Sequence, residues 1–300
     1  MARYERRSAM TVSLPTRSPL FVLSILAMVL LLFSSVAGLV FDRGGNPYAF
    51  TSLRGEVVEV YGGAGLYQFD TAYKAIAFRS FDWVNLLMVL PLFGVSLYLY
   101  RQGRLRGQLL LAALFTYLAY IYLIGVMGNA FNGMFLVWTA LFSLGLFGLF
   151  LTVAQMNVAA LPDKLEPGFP RRSVAIYVMG VGLILLLQYL AEIITAYAAG
   201  QPPASLDHYT TLELAALELG IMIPLHVVGG IALWKRQAAG YLISIILAFT
   251  AAMVFVALSV SLLIGYLSLG RGDPADMIIT LVIALCAVGF SFIIFKRVKA

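Results

Sequence analysis

The sequence predicts an all-α, polytopic bundle of eight transmembrane helices, and three observations predict it. Of 300 residues, 62% are hydrophobic and only 11% charged, with a mean hydropathy of +0.94. Soluble domains carry about a quarter charged residues. Eight apolar runs, 20–40, 83–100, 108–126, 134–155, 173–198, 212–234, 241–266 and 277–295, approach the roughly 20 residues a helix needs to cross a bilayer. The basic residues then fall on alternate connectors.

Arg3, Arg6, Arg7 and Arg17 precede the first run, and Arg101, Arg104 and Arg106 follow the second. Lys164, Arg171 and Arg172 follow the fourth, Lys235 and Arg236 the sixth, and Lys296, Arg297 and Lys299 the eighth. Only Arg43, Arg54, Lys74, Arg79 and Arg271 lie on the other side. This positive-inside bias predicts a multi-pass membrane protein with both termini cytoplasmic. The net charge of +6 is therefore topology rather than a nucleic-acid footprint. The partner it implies is the lipid bilayer.

In chain order, residues 1–19 form a basic cytoplasmic tail. Run 20–40 has the basic flank and the Ser35-Val36-Ala37 small-x-small site of a signal peptide, but its length favours an uncleaved anchor. Residues 41–82 are expected outside. There, Glu56–Tyr61 predicts a short strand, Gly62-Gly63-Ala64-Gly65 a turn, and Asp70 an N-cap for a short helix through Phe78. No Lys-Ser/Thr follows the glycines, so they do not read as a phosphate loop. The first four-span half, 20–155, closes at a Pro-bearing cytoplasmic linker, 156–172, before the second half, 173–300. Asp273 and Pro274 mark the start of the last span.

A repeat crosses the linker. Pro91–Gly107 reads PLFGVSLYLYRQGRLRG and Pro224–Gly240 reads PLHVVGGIALWKRQAAG. Four spans separate the copies, which predicts a parallel repeat about an axis along the membrane normal.

The candidate chemistry lies in the acids. Glu192 and Glu218 each sit about 9 Å inside the outer ends of spans five and six. An intramembrane carboxylate costs about 2.5–3.5 kcal/mol and is expected to turn inward. Together the pair predicts a shared proton or cation site, with Gln188 and Thr195 on the Glu192 face. Asp82 opens the second span, on nearly the face that Glu218 occupies in the sixth. Asp70 and Tyr67 mark the outer loop. His226 lies about 80° off the Glu218 face, so no metal site is expected. One cysteine, Cys286, excludes a disulfide framework, and two histidines, only one within a span, exclude a bis-histidine haem. No cofactor is implied.

Gly55-Glu56-Val57-Val58-Glu59-Val60-Tyr61-Gly62, followed by Gly65-Leu66-Tyr67, Asp70 and Asp82, resembles a family of uncharacterised bacterial multi-spanning membrane proteins. The likeness extends to Asn132-Gly133-Met134-Phe135-Leu136 and to Leu217-Glu218-Leu219-Gly220 through Pro224, with one extra residue in Tyr61–Gly65. The resemblance implies a membrane protein with an important outer loop, and no particular activity.

Three function classes follow. Intramembrane acids and a repeat point first to binding or transport of a small molecule or cation through an acidic outward-facing cavity. An outer-face enzyme using carboxylates as acid and base is the second. A structural or assembly subunit is the third.

Overall fold

A computed structural model describes residues 18–41, 46–270 and 272–299. The basic tail with Arg3, Arg6, Arg7 and Arg17, the loop residue Arg43, and Arg271 lie outside the described residues. Eight helices are long and apolar enough to cross a membrane: α1 Pro19–Val40, α2 Ala72–Arg101, α3 Leu105–Gly128, α4 Phe135–Ala154, α5 Arg171–Ala199, α6 Glu213–Trp234, α7 Ala238–Leu269 and α8 Pro274–Arg297. The chain is an all-α membrane bundle.

Capping fixes several ends. The Ser18 hydroxyl accepts Phe21 N–H at the start of α1, and Asp273 accepts Ala275 N–H before Pro274 at the start of α8. Gly200 and Gly270 end α5 and α7 in the left-handed region. Helices α3 and α7 are the most buried and touch each other at the centre. Around them the contacts come in pairs: α2 with α3 and α6 with α7, α3 with α4 and α7 with α8, α1 with α2 and α5 with α6, α1 with α4 and α5 with α8.

The repeat governs backbone detail. In the register that aligns Pro91 with Pro224, a π turn occupies Asn85–Val89 in α2 and Glu218–Met222 in α6. The segments that follow, Leu90–Arg101 and Ile223–Trp234, start and stop in step. Gly103 and Arg236 both hold left-handed backbone, at φ 70° and 62°, and α3 and α7 start in step after them. A side chain on Gly107 would strike the backbone of Leu99 and Tyr100, and one on Gly240 that of Ala232 and Leu233. These glycines let each hairpin close.

At one face lie the α2–α3 hairpin, the linker and the chain end. The Arg106 guanidinium donates to Val298 O at 2.6 and 2.8 Å, and Leu165 bridges to Val298. At the opposite, loop face, strand β1 (Tyr48–Thr51) pairs antiparallel with β2 (Val57–Val60). β2 falls within the expected strand; its partner β1 was not foreseen.

Two expectations about the loop are corrected. It ends at Thr71, not Asp82, because the short helix expected there runs on without a break as the loop-face half of α2. The N-cap is Thr71, whose hydroxyl accepts Lys74 N–H at 3.3 Å. Asp70 instead turns inward.

Candidate functional site: buried carboxyls beneath a two-loop clasp

Residues 61–70 leave and rejoin one place. Tyr61 N–H donates to Asp70 O at 2.9 Å, Gly62 N–H to Gln68 O at 3.1 Å, and Val60 bridges to Thr71. Between these ties Tyr67 drops into the bundle, where it is 1% exposed and stacks on Trp138 at 6.2 Å. Its hydroxyl donates to Asp82 Oδ2 at 2.6 Å. Burial, then the neighbouring Asp82, push the Tyr67 phenol well above its ordinary range, so it stays a donor. Gly38 of α1 makes the room: a side chain there would overlap the Asp82 carboxyl and the Tyr67 hydroxyl. Asp82 was expected to open a helix. It lies deep inside α2, buried, because the loop is shorter and α2 longer than apolarity alone indicates.

One turn below, Asn85 begins the first π turn. Its Oδ1 accepts the Tyr117 hydroxyl at 2.7 Å, and its Nδ2 donates to Ser35 Oγ at 3.1 Å and toward Tyr122 Oη at 3.5 Å. Trp138 Nε1–H donates to Ser34 Oγ at 2.9 Å alongside. Glu218 begins the second π turn and accepts the Tyr120 hydroxyl. Single π turns inside α-helices occur frequently at functional sites. The counterpart of Glu218 in the repeat is therefore Asn85, not Asp82.

Glu192 does not join Glu218. Its carboxylate, half-buried, accepts Ser205 N–H at 2.9 Å and ties α5 to the short turn Ala204–Leu206. Gln188 and Thr195 are exposed on the outside of α5. The expected inward polar face and shared Glu192–Glu218 site are corrected: near the end of α5 a carboxylate satisfies a loop amide more cheaply than it enters the core. His226 is buried, with Nδ1 2.7 Å from Met222 O and its Cβ against Gly182 of α5, a packing role. Among the described residues no group of three or more metal-ligating side chains forms.

Asp70 is the hub of the loop face. It is 0% exposed and accepts Ala130 N–H at 2.7 Å, Tyr209 O–H at 2.9 Å and Asn129 Nδ2–H at 3.4 Å. Burial raises its carboxyl to about 6 against the pull of these donors. Lys74 pairs with Glu213 at 2.6 Å and lies 3.8 Å over the Tyr209 ring. The Arg54 guanidinium donates to Tyr209 O and Asp207 O at 2.9 and 2.6 Å. These bonds clasp the loop of the first half to residues 200–212 of the second.

Beside the clasp opens a cleft of about 400 Å³, between the hairpin, the start of α2, the loop at Asp207 and the end of α7. Its polar lining is Glu59, Thr71, Tyr73, Asp207 and Ser261, with no basic side chain among the described residues. Thr71 donates to Asp207 Oδ2 at 3.1 Å. Asp207 holds φ 48°, a strained value outside glycine, and burial raises its carboxyl above the ordinary aspartate range. A separate hollow of about 390 Å³ by Phe41, Phe69 and Phe131 is mostly apolar.

Sequence reasoning missed Asn85, Tyr120 and the clasp residues Arg54, Lys74, Asp207, Tyr209 and Glu213. The shared spacing of Asn85 and Glu218 to their prolines was a legible signal for the first of these.

Fold and site together define a multi-pass integral membrane protein with polar groups sealed in its core and a polar cleft at one face. Comparison with protein-family models, with curated proteins and with solved structures finds no match.

Proposed function

We propose that this membrane protein binds, and by way of its repeat transports, a small cationic molecule taken up at the loop-face cleft. The observation that carries the reading is the cleft: two carboxylates, Glu59 and Asp207, and three hydroxyls around about 400 Å³, with no basic lining residue among the described residues. A cation there meets complementary charge partly shielded from solvent. The cleft lies where elements of both halves meet, and parallel repeats in transporters place substrate at such seams. The Lys/Arg bias supports a bacterial inner membrane with the loop face outside and both termini cytoplasmic. The outer-loop motif supports kinship with the multi-spanning family named above.

Purified protein in lipid nanodiscs tests this by thermal shift with choline, spermidine and sodium. An organic cation is expected to raise the unfolding midpoint in wild type and to lose that effect in Asp207→Asn. Equal response of wild type and Asp207→Asn to every cation overturns the reading. A reporter fused after Ala300 should read cytoplasmic; an external reading overturns the orientation.

A further inference from the structure

The two π turns provide an internal control for a site in the second half. Asn85 and Glu218 occupy one position of the repeat, each first in its π turn and six residues before its proline. In the first half the occupant is a neutral amide with both polar atoms matched: Oδ1 accepts from Tyr117, and Nδ2 donates to Ser35 and toward Tyr122. In the second half it is a carboxyl that is 5% exposed. Its Oε1 accepts from Tyr120, and its Oε2 is buried with no hydrogen-bond partner.

Among the described residues, no cation acts on Glu218. From α3 it meets Tyr120. From α5 it has Tyr189, which is within electrostatic reach of Glu218, Glu192, Tyr73 and Glu213. Within α6, Glu213 is paired with Lys74, and the His226 ring is engaged at Met222 O. An ionised Glu218 would thus keep a buried, unsolvated oxygen with neither donor nor counter-charge, which is the arrangement proteins avoid. The repeat partner shows that this position takes a neutral polar side chain that accepts a tyrosine hydroxyl at one oxygen. A carboxylic acid protonated at Oε2 is neutral and still accepts at Oε1.

We propose that Glu218 is a proton-binding site: its Oε2 carries an exchangeable proton while Oε1 accepts the Tyr120 hydroxyl. On release, the O–H bond of Glu218 breaks, the proton passes to water at the loop face, and the carboxylate keeps the electron pair. The site does not depend on what the cleft binds.

Infrared spectra of the full-length protein in liposomes, in H₂O and D₂O, test the assignment. Wild type at neutral pH should show a protonated-carboxyl C=O band that shifts down in D₂O. Glu218→Gln should lose that band, whereas Asp82→Asn and Asp70→Asn should keep it. Unchanged intensity in this region for Glu218→Gln overturns the proposal, as does a band that does not shift in D₂O. Tyr120→Phe supplies a second reading that does not alter the acid: loss of its hydrogen bond should move the same band to higher frequency. An unmoved band overturns the pairing on which the site rests. The amide at the equivalent position predicts that Glu218→Gln folds.

Discussion

The first half of the molecule buries an amide in its π turn and matches it on every side; the second buries an acid in the same turn and matches one oxygen. The hairpins around these turns keep the same helix bounds, a left-handed residue at the same position and the same close glycine. Backbone architecture has thus been held constant while the polar centre differs. The halves also part at the loop face. In the register of the repeat, α6 begins at the position of Ser80, so it lacks the first two turns of α2. Residues 200–212 fill that gap, and the clasp and cleft form there. Equivalent scaffolds therefore carry one closed polar centre and one open one. The closed centre reads as structural and the open one as available for chemistry.

The largest effect should come from the shared glycines. Gly107→Val and Gly240→Val each force a branched side chain onto neighbouring backbone, and each is expected to cost about 3 kcal/mol in detergent unfolding. A large loss in one half and none in the other would break the equivalence.

Asp70 probes where the halves differ. Its carboxyl titrates near 6 in the folded protein and near 3.8 unfolded, so the native state binds more protons between those values. Stability from this group is therefore greatest at low pH and falls as pH rises from about 4 to 6, then levels off. Ionised, the buried carboxyl costs up to about 3 kcal/mol. His208 acts in the opposite sense, because burial lowers its pKa, so its contribution weakens on acidification. The difference in unfolding free energy between wild type and Asp70→Asn isolates the first trend. A difference that stays flat from pH 4 to 7 would exclude Asp70 as the titrating hub.

Exchanging the polar centres sharpens the contrast. Asn85→Asp replaces an amide that donates to Ser35 and toward Tyr122 with an acid holding at most one proton, and leaves the matched network short by at least one bond, at about 2 kcal/mol. Measured in the same unfolding assay, Glu218→Gln should cost less than about 1 kcal/mol. Equal costs would erase the distinction between closed and open.

The smallest effect lies at the hairpin tips opposite the loop face. Arg236 occupies left-handed backbone where the first half has Gly103. Arg236→Gly should stabilise by about 1 kcal/mol, and Gly103→Ala should destabilise by a similar amount. The signs, read from thermal midpoints, matter more than the sizes.

Much of this was legible before any coordinates. Each of the eight apolar runs ends within three residues of its helix ends, except at the start of α2. There Lys74, Arg79 and Asp82 disguise a helix whose charged residues are used by the clasp, by Tyr61 and by Tyr67. Glu192 and Glu218 looked alike in sequence depth, yet one meets a loop amide and the other the core.

What the sequence determined by itself was the element list: eight helices, the alternation of charge, and the hairpins that match across the linker. Those follow from local quantities, since length and apolarity decide what a helix can do in lipid. Only the tertiary structure decided which polar side chains meet. Tyr67 reaches Asp82 because a loop turns back on itself. Tyr120 reaches Glu218 across two helices. Asp70 is buried because loops from both halves close over it. Each depends on the relative rotation of packed helices and on loop closure, which residue spacing along one helix does not encode.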